Sequence, residues 1–189
     1  MSAFRESRSG PDAAPILALT GFMAAGKSTA GRMLAATLKW QFIDLDSEIE
    51  RRAGRSIREI FSVDGEDRFR ELEAEALRAA LEDTSGPRVI ALGGGTFIQP
   101  GNAELLRHRG ARVVFLELPL EQLFQRCRGM CEGSDRNPRP LAESEEAFAA
   151  LYAQRLPSYR QADLVVDAEE KTPEQIAREI ARSLRLQAR

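Results

Sequence analysis

Histidine is nearly missing from this chain: His108 is the single one among 189 residues. It sits in Leu106-Arg107-His108-Arg109 at what reads as a helix end, and is read as a surface residue rather than a catalytic one. Cysteine is scarce as well. Cys127 and Cys131 have no second pair to complete a zinc site, so they are read as incidental thiols in a reducing compartment, the cytoplasm. No apolar run approaches the ~20 residues that a membrane span needs. Met1 to Ala14 is rich in Ser, Arg and Pro without the apolar segment of a signal peptide, so residues 1–14 are expected to be a disordered leader. Neither sign of charge dominates, and a net charge of −2 gives no reason to expect a nucleic-acid partner. No apolar stripe is left over for a second copy, so a monomer is expected. What is present is ordinary globular composition, 43% hydrophobic and 30% charged, in a length that buries one core. Residues 15–189 are therefore read as one domain.

The most informative stretch is Gly21-Phe22-Met23-Ala24-Ala25-Gly26-Lys27-Ser28, a G-x-x-x-x-G-K-[ST] phosphate-binding loop. It follows the apolar run Ile16 to Thr20, which suits a buried strand, and precedes a helical stretch from Thr29 to Leu38. Backbone N–H groups in such a turn form a concave anion site, and the helix start adds a positive pole. Gly21 and Gly26 let the chain turn sharply and approach phosphate. Lys27 is placed to reach the β and γ phosphates of a nucleotide, and Ser28 to ligate Mg²⁺.

Further along, strand-like and helical runs alternate. Strands are expected at 41–44, 88–92, 112–116 and 163–166. Helices are expected at 46–53, ending at Gly54; after Ser56, which with Glu59 makes a capping box; at 66–81 and 102–108; from Pro119 to about Arg128; at 144–156; and after Pro173. Residues 129–142 are rich in Gly, Asp, Asn, Pro and Arg and read as a lid loop. Trp40 is assigned to packing, and Phe61 to the core rather than to the lining of a substrate cleft, the alternative for it. The alternation predicts an α/β three-layer sandwich with a five-stranded parallel sheet, which the phosphate-binding loop marks as of the P-loop NTPase/kinase type. Ligands in such folds bind at the carboxyl ends of the strands.

Three groups sit at those ends. Asp44 and Asp46 follow the second strand, where a carboxylate can hold an attacking hydroxyl and another can contact Mg²⁺. Asp46 suits the first task and Asp44 an outer-shell metal contact; the structural alternative is that Asp46 caps a helix. Gly93-Gly94-Gly95 follows the third strand and exposes backbone to a ligand, or simply makes a tight turn. Arg70, Arg136, Arg139 and Arg155 are candidates for carboxylate and phosphate recognition, while Arg68 is read as solvated.

Together these residues resemble the shikimate kinase family. The matching segments are Gly21-Phe22-Met23 with Gly26-Lys27-Ser28-Thr29, Phe42-Ile43-Asp44-Leu45-Asp46 with Ile49-Glu50, Gly65-Glu66 with Phe69-Arg70 and Glu73, Leu92 to Gly95, Arg139-Pro140-Leu141, and Arg155 with Tyr159. The resemblance runs in order over nearly the whole chain. It implies phosphorylation of the 3-hydroxyl of shikimate by ATP with Mg²⁺, on the chorismate route to aromatic amino acids. It implies nucleotide binding by Ala24, Ala25, Gly26, Lys27, Ser28 and Thr29, with Arg126, Arg139 and Lys171 on the nucleotide side. It implies shikimate binding by Asp46, Arg70, Gly93, Gly94, Gly95 and Arg155, with Lys27, Asp46 and Arg139 catalytic and Ser28 and Asp44 serving the metal. Two departures stand out. Ala24 occupies a position where the family commonly has glycine, which implies a stiffer loop. The stretch from Arg128 to Pro138 is longer than usual, which leaves Arg128 and Arg136 beside Arg139 as the lid arginine.

Rival readings find less support. A kinase for another small polyol, such as gluconate, shares the loop; the arginines and the triple glycine together favour shikimate. A nucleotide kinase lacks a base-recognition signature. A GTPase switch should carry Asn-Lys-x-Asp, and a motor-type ATPase an apolar strand ending in Asp-Glu; Leu164-Val165-Val166-Asp167 has no adjacent Glu.

Overall fold

Residues 14–83, 85–132 and 144–187 are described by the computed structural model of the chain. In chain order they form β1 (Ile16–Thr20), α1 (Lys27–Leu38), β2 (Gln41–Asp44), α2 (Leu45–Ala53), α3 (Ile57–Val63), α4 (Gly65–Glu82), β3 (Arg88–Ala91), α5 (Pro100–His108), β4 (Arg112–Glu117), α6 (Leu120–Glu132), α7 (Glu145–Tyr159), β5 (Leu164–Asp167) and α8 (Pro173–Ser183). All strand pairs are parallel. β1, β3 and β4 are almost wholly buried, as near-continuous apolar strands covered on both faces should be. The edge strands β2 and β5 are partly exposed. The three-layer α/β fold with five parallel strands is as expected.

The order across the sheet is β2-β3-β1-β4-β5. Asp44 of β2 and Leu19 of β1 are both registered on Ala91 of β3. The three strands therefore end level. Two residues beyond each of these positions stand Asp46, Gly93 and Gly21. The triple glycine consequently lies between the acidic turn and the phosphate loop, although it follows both in sequence.

Local chemistry sets most helix ends. The Asp44 carboxylate accepts from Ser47 N and caps α2, and Gly54 closes that helix in the left-handed region with φ 64°. Asp44, not Asp46, is therefore the cap; Asp46 lies in the first turn. Ser56 and Glu59 form the expected capping box on α3, and Thr172 with Gln175 forms a second one on α8. Several helices exceed their expected bounds, α2, α4 and α5 by one or two residues at their ends. α1 starts at Lys27, so the loop's lysine and serine already belong to the helix. α6 continues to Glu132. α7 runs through Pro157 to Tyr159. Proline removes one backbone bond in a last turn, and the burial of Tyr159, stacked on Phe115 with ring centroids 5.2 Å apart, offsets that loss.

Candidate active site

The phosphate loop is built for an anion. Gly26 takes φ 85° at the head of α1, which has neither a side-chain cap nor an acidic residue in its first turn. By contrast α2, α3, α7 and α8 are each capped by a side chain. The first N–H groups of α1 thus point into the loop without a side-chain acceptor of their own. Lys27 Nζ donates to the carbonyls of Gly21 (3.0 Å) and Phe22 (2.9 Å), which folds the ammonium over the loop. Ser28 is half-buried and Thr29 exposed in that first helical turn. Ala24 sits at φ 60°, a left-handed conformation that a Cβ resists.

The triple glycine is where the other elements converge. A Cβ placed on Gly93 would lie 2.8 Å from Asp46 Oδ1, 3.0 Å from Thr96 Oγ1 and 3.1 Å from Glu73 Oε1. A Cβ on Gly95 would lie 2.6 Å from Arg70 Nη1. The carbonyl of Gly94 accepts from Arg155 Nη1 (3.3 Å) and from the Tyr159 hydroxyl. The Arg70 and Arg155 guanidinium groups therefore rest against adjacent glycines, beside the Asp46 carboxylate. This arrangement sets two planar cations beside the Asp46 and Glu73 carboxylates, and is suited to a small hydroxylated carboxylate.

Supporting contacts hold each of these groups. Arg70 donates to Glu66 (2.9 Å) and to Glu73 (3.1 Å), and its guanidinium lies 5.3 Å from the Phe69 ring centroid. Glu73 is buried and also accepts from the Thr96 hydroxyl (2.7 Å). Burial pushes the Glu73 carboxyl up from its ordinary value. Thr96 and Arg70 pull it back, while the neighbouring Asp46 charge adds to the rise. Arg155 lies 5.8 Å from the Phe22 ring centroid, and its buried Nε has no partner among the described residues. Phe22 in turn makes edge contacts with Phe148 (4.9 Å) and Tyr152 (5.3 Å), which ties α7 to the phosphate loop. Burial drives the Tyr159 hydroxyl up to about 12, so it donates to Gly94 at all ordinary pH.

The structure brings together Lys27, Asp46, Arg70, Gly93, Gly94, Gly95 and Arg155. Phe61 corrects an expectation. It is 40% exposed rather than in the core, with its ring centroid 4.5 Å from that of Phe69. Arg68 is exposed and paired with Glu71, as expected of a solvated arginine. Lys171 donates to the Asp167 carbonyl and pairs with Glu179 (2.9 Å), at the turn into α8. Arg126 is exposed on α6. Arg136 and Arg139 lie outside the described residues, as does most of the lid stretch. Glu73, Thr96 and Tyr159 were not singled out as site residues. Glu73 had a signal, its position three residues after Arg70 on one helix; Thr96 had none.

The family model described as Shikimate kinase matches residues 23–185. The chain belongs to the shikimate kinase family. It is 49% identical to a shikimate kinase of Geobacter sulfurreducens over 88% of this chain and 89% of that protein. It is 42% identical to one of Mycobacterium ulcerans, over 88% of each. A solved structure of shikimate kinase from Acinetobacter baumannii in complex with shikimate superposes with a TM-score of 0.80 at 34% identity, over 92% of this chain and 94% of that one. The family, the fold, the enzyme class and the use of ATP with Mg²⁺ thus agree with the expectations drawn from the motifs. No helix among the described residues is long and apolar enough to cross a membrane.

Proposed function

We propose the following division of labour for the phosphorylation of the shikimate 3-hydroxyl by ATP, the activity that goes with the family. The observation that carries it is the convergence of Asp46, Arg70 and Arg155 on one row of glycines beside the phosphate loop. Lys27 leaves the Gly21 and Phe22 carbonyls to pair with the β and γ phosphates, with the N–H groups from Ala24 to Thr29 lining the loop. Arg70 and Arg155 grip the substrate carboxylate, which also satisfies the buried Arg155 Nε. The backbone of Gly93 to Gly95 forms the floor.

Asp46 holds the reacting hydroxyl and takes its proton. A bond forms between that oxygen and the γ-phosphorus, and the bond from the γ-phosphorus to the β-bridging oxygen breaks to release ADP. Ser28 and Asp44 offer hydroxyl and carboxylate oxygens, the donor type that Mg²⁺ takes; Asp44 has one oxygen engaged in the helix cap and one to spare. When bound, the cation neutralises charge on the transferring phosphates. Arg139 acts from a lid spanning about 129–142, with Arg126 and Lys171 on the nucleotide side. The chain works as a monomer in the cytoplasm, as one domain.

A coupled ADP-release assay tests this, comparing shikimate with gluconate and nucleoside monophosphates. ADP release with shikimate alone is expected. Turnover of gluconate at an equal kcat/KM would overturn the assignment.

A further inference from the structure

Thr96 follows the triple glycine and is completely buried. Three bonds fix it. Its N–H donates to the Gly93 carbonyl (3.2 Å), and its own carbonyl accepts from Asn102 Nδ2 (3.2 Å). Its hydroxyl donates to Glu73 Oε1 (2.7 Å). The other oxygen of the same carboxylate, Oε2, accepts from Arg70 Nη1 (3.1 Å). A continuous chain thus runs from Asn102 on α5, through Thr96 and Glu73, to the guanidinium that lies against Gly95.

We propose that Thr96 is a positioning residue for the acid clamp: through Glu73, its hydroxyl holds the Arg70 guanidinium over Gly95. The inference rests on Arg70 binding the substrate carboxylate, as proposed above. Arg70 has two acidic partners, and they pull apart. Glu66 is exposed and draws the guanidinium toward solvent, with a side chain 64% accessible; Glu73 is 1% accessible and draws it into the cleft. The inner partner holds its charge against odds. Burial disfavours the ionised form, and Asp46 from α2 adds like-charge repulsion. Two groups oppose this: Arg70 on the same helix and the Thr96 hydroxyl from the loop after β3. A hydroxyl donor at 2.7 Å stabilises the carboxylate over the acid. Without it the carboxyl takes up a proton at higher pH, the inner ion pair is lost, and Glu66 is left to hold Arg70 away from the cleft.

Thr96→Val keeps the shape and removes the donor; Thr96→Ser keeps the donor. Steady-state kinetics across a pH series is the readout. For Thr96→Val the KM for shikimate rises about tenfold, with kcat and the KM for ATP little changed. The pH at which that KM begins to climb on acidification also moves upward. Thr96→Ser restores both. A purely structural role for Thr96 would lower kcat or stability without shifting the pH profile.

Should Thr96→Val fail to fold, Glu73→Gln carries the same test: it fixes the uncharged form, so the KM for shikimate is high and flat across the acidic range. Wild-type KM and pH profile in Thr96→Val, alongside a raised KM in Arg70→Ala, would overturn the inference while leaving the clamp standing. An unchanged KM in Arg70→Ala would overturn the clamp and the inference together.

Discussion

Asp46 and Glu73, on different helices, turn their carboxylates to the same glycine. Oδ1 of one and Oε1 of the other would stand 2.8 and 3.1 Å from a Cβ on Gly93. The absence of that single carbon is what lets the Asp46 carboxylate and the buried Glu73 carboxylate share one corner of the candidate site.

Gly93→Ala should therefore strike chemistry first. The methyl meets Asp46, Thr96 and Glu73 side chains together; Thr96 and Glu73 are buried and have little room to give, so Asp46 is the one displaced. A fall in kcat of on the order of 100-fold is expected from displacement of Asp46. Stopped or coupled turnover assays read it directly, and a kcat within a factor of two of wild type would show that the acid does not need its present position.

Arg70→Ala should separate the two substrates. It removes a charged partner worth about 2–3 kcal/mol, or roughly 30- to 150-fold in affinity. The KM for shikimate should rise by that order while the KM for ATP stays close to normal. Equal increases in both would place Arg70 outside the acid clamp.

Ala24→Gly should stabilise the protein. Ala24 holds φ 60°, a conformation that costs an L-residue about 1 kcal/mol and costs glycine nothing. Part of the gain is cancelled by the freer unfolded chain. A rise in Tm of about 1–3 °C without ligands is expected for a chain of this size. A lower Tm would mean that the loop is not strained there.

Glu73→Gln should change how stability depends on pH. The Glu73 carboxyl is raised above its ordinary value of 4.5 in the folded state, chiefly by burial. The folded form then binds the proton more tightly than the unfolded form. The stability this group contributes is complete below about pH 4.5 and is lost as pH rises through the folded value. Denaturation curves at several pH values should show the difference between the variant and wild type moving in favour of glutamine as pH rises from about 4.5. A difference that is flat, or that moves the other way, would mean the carboxyl is not raised.

The glycine-lysine-serine turn, the caps at Ser56 and Gly54, and the strand spans 16–20 and 41–44 could all be read from sequence, because each depends on residues a few positions apart. Arg70 and Glu73 also carried a local signal, as neighbours on one helix face. The boundary at Pro157 misled, since a proline ends a helix on local grounds while the burial of Tyr159 carries this one onward. Phe61 misled for a similar reason: an aromatic residue in a short helix suggests core, but this one lays its ring on Phe69 and stays 40% exposed.

By itself the sequence determined the alternation of elements, the anion-binding turn and the family, all of which rest on short-range pattern. The tertiary structure alone decided that β3 slots between β2 and β1, so that Gly93 to Gly95 meet Asp46, Arg70 and Arg155 at one point. Parallel pairing joins strands distant in sequence, and its order follows from how covered apolar faces fit together, which no local pattern encodes.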